Sequence, residues 1–460
     1  MKCKNTPLES IPQLVAKQRE FFASGVTREI SFRRAMLARL DEALRRWEER
    51  LSDALYADLR KSREESFMTE FGILYGEIAL HRRKVKSWAR IKCRPTPLKM
   101  WPSRSKTLFE PLGTALIIAP WNYPVQLLLN PLIGAVSSGC TAVLKPSPYT
   151  PHVSETLAAM IAETFPSEYI AAVEGDRTVN TKLLGERFDI IFFTGSPVLG
   201  RTVMRAAAEN LTPVVLELGG KSPCIVDREA DVRIAARRIA WGKTLNGGQT
   251  CIAPDYLMLH RSLEGPFVAA FAEEVRRLLG DDASQAEHFV RMVNERAFDR
   301  VSGYLSEGEA VVGGGCDRSD LYVEPTLLRG VSESSSVMRE EIFGPVLPML
   351  LFDESEEVVR FVNGREKPLA MYYFGSEKKG LELVYRTSSG GVCINDTIMH
   401  VVNENIPFGG TGNSGMGSYH GRRTFESFSH ERSVVLTPVR PDLPFRYSPY
   451  RFFSLVKRFF

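Results

Sequence analysis

A chain of 460 residues, 44 % hydrophobic and 25 % charged, has the composition of a soluble globular protein of two or three domains, with a core large enough to need no covalent staples. A net charge of +4 is too small to support nucleic-acid binding. Seven cysteines, at 3, 93, 140, 224, 251, 316 and 393, form no CxxC pair and no zinc spacing, which excludes a structural metal site and points to reduced thiols in a cytoplasmic setting.

The opening residues lack the apolar run of a signal peptide, and no stretch reaches the roughly 18 apolar residues of a membrane span. Residues 8–90 predict helices: Phe32, Met36, Leu37, Leu40 and Leu44 recur at helical spacing among many charges. Residues 91–110 are rich in Pro and Lys and predict an exposed excursion. From 111 the pattern changes. An apolar strand, Thr114–Ala119, runs into Pro120-Trp121-Asn122-Tyr123-Pro124. A helix through Leu127, Leu128, Ile133 and Val136 stops at Gly139, a suitable cap. Strand Thr141–Leu144, helix 152–164 and strands Ile170–Val173 and Asp189–Phe193 follow. Ser196 is placed to cap a helix over 198–209, and strand Val214–Leu218 closes the series.

A second alternating unit starts near 219, with strand Cys224–Val226, helix 231–245, strand Tyr256–His260 and helix 265–279. The alternation continues to about 405. Continuous apolar strands between helices predict an α/β fold built on a doubly wound parallel sheet. Ligands of such sheets bind at the carboxyl ends of the strands. Asn122, Lys145, Gly195 and Ser196 all fall there.

The chemistry concentrates around Cys251, in Asn246-Gly247-Gly248-Gln249-Thr250-Cys251. The two glycines permit positive φ and close backbone approach. A lone cysteine is more often a small buried hydrophobe than a nucleophile, and the other six have no context that argues otherwise. A thiol attacks only as thiolate, and at its ordinary pKa ~3 % is ionised at pH 7, so a catalytic Cys251 needs a base or a positive setting. Glu217, 34 residues upstream, is a lone carboxylate in an apolar strand, a costly placement unless it serves something. Asn122 is either a turn-forming amide or a donor to a developing oxyanion. Thr194-Gly195-Ser196-Pro197-Val198-Leu199-Gly200 lacks the glycines of the full dinucleotide fingerprint, yet its strand-turn-helix context offers N–H groups to a pyrophosphate. Lys145 is a solvated strand-end lysine or a donor to ribose or phosphate. Glu341-Ile342-Phe343-Gly344-Pro345 alone reads as a loop. Five glycines in the nine positions 409–417 mark a flexible linker or a close backbone contact.

Taken together, Pro120-Trp121-Asn122, Phe193-Thr194-Gly195-Ser196, Glu217-Leu218-Gly219-Gly220-Lys221, Gly248-Gln249-Thr250-Cys251, Glu341-Ile342-Phe343-Gly344-Pro345 and Pro407-Phe408-Gly409-Gly410 resemble, in order and over 111–432, the motif set of the aldehyde dehydrogenase superfamily. Gly25-Val26-Thr27-Arg28 and Phe32-Arg33 resemble it too. The run from Gly412 to Gly421 and Phe428-Ser429-His430 resembles the class 3, fatty-aldehyde branch. The resemblance implies a Rossmann-like cofactor domain (1–90 and 111–217, with a return segment near 405–419) and a catalytic domain (218–404). It also implies a small β excursion for oligomerisation (91–110 and 420–438) and a tail (439–460).

It further implies that Cys251 attacks the aldehyde carbon, that Asn122 holds the oxyanion, and that Glu217 activates the water that releases the acid. Trp121, Lys145, Gly195, Ser196, Gly200, Glu341 and Phe343 match cofactor-binding positions. The cofactor so implied is NAD or NADP, the implied substrate a medium- or long-chain aliphatic or an aromatic aldehyde, and the implied assembly a homodimer. Two rivals are an acylating enzyme that passes the thioester to coenzyme A and a non-catalytic structural relative.

Two departures stand out. Pro148 occupies a place where much of the family has a Glu that repels a 2′-phosphate, which predicts tolerance of NADP. Val402-Asn403-Glu404-Asn405 replaces a stretch that often holds a His in the class 3 branch. In residues 445–460, Phe452, Phe453, Val456, Phe459 and Phe460 alternate with Arg451, Lys457 and Arg458. Such a tail is either an interfacial membrane helix or a segment packed on a partner subunit or on its own domain.

Overall fold

Thr114–Ile118, Thr141–Lys145 and Ile190–Gly195 carry almost no exposed residue, the signature of strands covered on both faces. In the computed structural model, which describes residues 4–450 and 452–459, they form the centre of a six-stranded sheet. Its order is Gly415–Met416, Val214–Leu218, Ile190–Gly195, Thr114–Ile118, Thr141–Lys145, Ile170–Ala172, parallel but for the first strand. Because side chains alternate along a strand, Ala115 and Ile117 pack towards the long helix Ile30–Leu59 and the fully buried helix Gln126–Ser138. Leu116 and Ile118 pack with Ile11, Val15 and Val203 of helices Ser10–Ala23 and Pro197–Ala208 on the other face.

The register aligns the carboxyl ends. Ile118 lies beside both Lys145 and Phe193, and Thr194 beside Glu217. Three turns therefore open on one edge: Ala119–Tyr123, Gly195–Ser196 and Leu218–Gly220.

A seven-stranded sheet follows, ordered Glu309–Val312, Thr326–Arg329, Val346–Phe352, Tyr256–His260, Pro223–Val226, Ala370–Phe374, Gly391–Ile394, again parallel but for its first strand. The loop carrying Cys251 connects helix Val232–Thr244 to the strand Tyr256–His260. Within it, Asn246 (φ 50°), Gly247 (φ 58°) and Gly248 (φ 70°) are all left-handed. A Cβ at Gly248 would strike the carbonyl of Gly344, so only glycine fits there.

Residues 91–110, whose composition predicts an exposed excursion and whose resemblance implies a β excursion shared with 420–438, contain strands. Lys92–Arg94, Arg104–Pro111 and Ser429–Leu436 make a three-stranded antiparallel sheet, with Ser429 opposite Pro111 and Leu436 opposite Arg104. The alternation of apolar and polar residues there is obscured by the charged outer face. Cys93 and Cys316, expected as buried hydrophobes, are exposed: Cys93 sits on this small sheet and Cys316 on a two-stranded ribbon, Cys316–Asp317 with Tyr322–Val323.

No helix among the described residues is long and apolar enough to cross a membrane. Of the tail pattern, Arg451 and Phe460 lie outside the described residues. Between them run a one-turn helix, Phe453–Val456, and a 3₁₀ turn, Lys457–Phe459.

Candidate active site

The three strand-end turns and the Cys251 loop enclose a cleft of about 720 Å³. Eight of the ten residues singled out from the sequence line it: Trp121, Asn122, Gly195, Ser196, Glu217, Cys251, Glu341 and Phe343. The structure thus brings together groups from positions 121 to 343.

Glu217 stands one residue from the end of its strand, 1 % exposed, with neither carboxylate oxygen hydrogen-bonded. Burial pushes its pKa up to about 7. Cys251 is half-buried. Its thiol is pushed well above the usual range, first by desolvation and then by the nearby carboxyl groups of Glu217 and Glu341. Both effects favour the thiol form of the sulfur.

Asn122 is 2 % exposed and its Nδ2 donates to the carbonyl of Gln249 at 3.0 Å, two residues before Cys251. One N–H of the amide is committed to the Cys251 loop, and the amide oxygen has no partner among the described residues. Tyr123 adds a second tie, its hydroxyl 2.6 Å from Thr250 Oγ1. Gln249, fully buried, donates to the carbonyls of Asn246 and Arg291.

The other wall suits a planar ring and phosphates. Trp121 and Phe343 meet edge to face, with centroids 5.3 Å apart, and Phe343 holds an unusual φ of 51°. A Cβ on Gly219 would run into the Glu341 carboxylate, so glycine keeps that approach open. Burial, then the carboxylate of Asp255, raises the Glu341 pKa well above the carboxylate range. Ser196 caps helix Pro197–Ala208, accepting from Leu199 N; the helix start presents N–H groups and a positive dipole end to an anion. Lys221, Arg300, Arg339, Arg365 and Lys367 also line the cleft, against four glutamates, 217, 340, 341 and 366. With Glu217 and Glu341 both pushed toward their neutral forms, the balance favours an anionic ligand. These features fit a dinucleotide.

Two of the residues singled out are not on the cleft. Gly200 is buried under Leu218, whose Cδ2 would lie 2.7 Å from an added Cβ, so it sets helix-to-strand distance. Lys145 is 1 % exposed and donates to the carbonyl of Pro146 at 2.7 Å.

The cationic rim escaped the sequence reading because its members are scattered over 150 residues without a motif. So did Lys61, Glu65 and Glu70. Charges in a helical stretch normally mark a wet face, but these three are buried behind Asn122 and the Cys251 loop. The one local signal was Ser62, which caps the helix that starts there by accepting from Glu65 N.

Residues 2–434 match the model of the aldehyde dehydrogenase family. The chain belongs to that family. It is 41 % identical over 454 residues to the 4,4′-diaponeurosporen-aldehyde dehydrogenase of Staphylococcus aureus, covering 98 % of this chain and 99 % of that one. It is 41 % identical to a dimeric NADP-preferring aldehyde dehydrogenase of Rattus norvegicus, covering 93 % and 95 %. The substrate-bound structure of Staphylococcus aureus AldH superposes with a TM-score of 0.96 at 41 % identity, over 97 % of this chain and 98 % of that one. The resemblance carried by the motifs holds, and the protein is an oxidoreductase that acts on aldehydes.

Proposed function

We propose that this aldehyde dehydrogenase converts long apolar aldehydes to carboxylic acids through a covalent adduct on Cys251, with NADP accepted as well as NAD. Cys251 adds to the carbonyl carbon as thiolate, its proton passing to the ionised Glu217 carboxylate beside it and from there to solvent before deacylation. The free N–H of Asn122 receives the oxygen that becomes negative. Bound NAD(P) supplies the hydride acceptor, leaving a thioester on Cys251. Glu217 then takes a proton from water, which attacks the thioester carbon; the carboxylic acid departs and the sulfur leaves as thiolate. A carboxyl titrating near neutrality is matched to that task. The observation that carries the proposal is the Glu217 carboxyl, buried with no N–H or O–H donor among the described residues and with only the Cys251 thiol beside it. The same observation disfavours the acylating and non-catalytic alternatives, since a poised base would hydrolyse a thioester meant for coenzyme A.

Pro148 in place of an acid, the cationic rim and the NADP-preferring rat relative support NADP use. A long apolar substrate is supported by the polyene aldehyde named for the staphylococcal relative. Dimerisation through 91–110 and 420–438 is supported by the edge strand Ser429–Leu436, which pairs on one side only and exposes Val435 and Leu436. Exposed Phe452 and Phe453 near Lys457 and Arg458 support peripheral membrane contact by the tail. The unpaired cysteines accord with a cytoplasmic setting.

The deciding experiment is rapid-mix kinetics on Glu217→Gln. One equivalent of NAD(P)H per site should form in a burst, with steady turnover reduced ~10²–10⁴-fold; an unchanged steady rate refutes the role of Glu217. A preference for NAD over NADP beyond ~100-fold in kcat/KM would refute the cofactor assignment.

A further inference from the structure

Lys61 and Glu70 are both completely buried and 2.8 Å apart. A buried ion pair is a poor way to gain stability, because desolvating the two charges offsets most of their attraction. What distinguishes this pair is where its remaining hydrogen bonds go. Lys61 Nζ donates to the carbonyl of Asn122 at 3.1 Å and lies 4.3 Å from the centroid of the Tyr123 ring. The second oxygen of Glu70 accepts from Val125 N at 2.8 Å and Gln126 N at 3.1 Å, the first N–H groups of helix Gln126–Ser138. The pair grips the turn that carries Asn122 at both ends. Glu70 itself sits in a π-helical turn, Phe67–Phe71, a local widening of the helix often found at functional sites.

The same cluster holds the cysteine loop. Asn246 Nδ2 donates to the Asn122 carbonyl at 3.0 Å, beside Lys61, and Asn246 N donates to Glu65 Oε1 at 2.9 Å. Residues 61–70 thus fix both the amide donor and the loop of the nucleophile, without touching the cleft.

We propose that Lys61 and Glu70 are positioning residues for oxyanion stabilisation, holding the Asn122 turn so that its side-chain amide is already aimed when the carbonyl oxygen becomes negative. This rests on the oxyanion role given to Asn122 above. Fixed donors are effective because they need no reorganisation during the reaction, and a small displacement of such a group costs up to ~100-fold in rate.

The test is the double replacement Lys61→Met with Glu70→Gln, which removes both charges, keeps their shape and leaves an amide oxygen for Val125 N and Gln126 N. Steady-state kcat should fall at least ~tenfold while KM for NADP stays within ~threefold. Alkylation of Cys251 by iodoacetamide, which uses no oxyanion donor, should keep its rate. In an Asn122→Ala background the double replacement should cost less than ~threefold, because the group it positions is gone. Unchanged kcat, a loss of alkylation parallel to the loss of kcat, or a full further loss on top of a slow Asn122→Ala enzyme would each overturn the inference. Asn122→Ala with wild-type kcat would instead overturn the oxyanion reading itself, and this inference with it. If the neutral pair does not fold, Lys61→Arg, which keeps the charge and displaces its donors, should show the same split between kcat and alkylation; equal effects on both would overturn the inference.

Discussion

Glu217 and Asn122 share one cleft with one cysteine and are held in opposite ways. Glu217 is buried with no N–H or O–H donor among the described residues, only the Cys251 thiol beside it. Asn122 is tied through its side chain to Gln249 and through its carbonyl to Lys61 and Asn246. The difference matches the work proposed for each. A base has to change protonation state, so bonds that favour its charged form would lower its pKa out of range. An oxyanion donor never changes state and gains from being fixed beforehand.

If this contrast is right, disturbing the tied side should act on rate at every pH, and disturbing the free side should act through pH. On the tied side the largest effect should come from Asn122→Ala, with kcat falling ~10²–10³-fold at all pH values while the NAD(P)H burst slows with it; a normal burst would break the contrast. On the free side, a steady rate limited by deacylation should rise about tenfold between pH 6 and 8, following ionisation of a group near 7. Glu217→Gln should abolish that rise.

Stability should show the same carboxyl with opposite sign. Its folded pKa is raised, so the native state holds a proton that the unfolded chain has released above about pH 4.5, and its contribution falls as pH climbs towards and through 7. Glu217→Gln should therefore melt higher than the parent at pH 8, by a margin on the order of 3 kcal/mol that closes near pH 5. The smallest effect belongs to Tyr123→Phe, which deletes the hydroxyl 2.6 Å from Thr250 Oγ1. Loss of one neutral hydrogen bond, ~1 kcal/mol, should lower kcat about fivefold and leave the pH profile in place. A shifted profile would show that the tied side is coupled to the base after all.

Much of this was legible in the sequence, and unevenly so. The central strands announced themselves because strands covered on both faces read as unbroken apolar runs, and Ser196 and Gly139 marked the helix ends where they fall. Cys251, Glu217 and Asn122 could be found because each is anomalous where it stands: a thiol between glycines and polar residues, an acid in a core strand, an amide between aromatics. Lys61 and Glu70 are anomalous only in three dimensions. Along the chain they are ordinary charges in a charged helical segment, and nothing local says that this face is covered. Lys145 lies between these cases: its strand-end position predicts a cofactor donor, and its ammonium also donates to the Pro146 carbonyl, since a long flexible side chain can take more than one partner.

The high pKa of the Cys251 thiol has a meaning beyond turnover. Peroxide and stray electrophiles attack thiolates, and oxidation past the sulfenic acid is not readily reversed. Burial and the neighbouring carboxyl groups hold the Cys251 sulfur towards its thiol form, the form that such reagents attack most slowly.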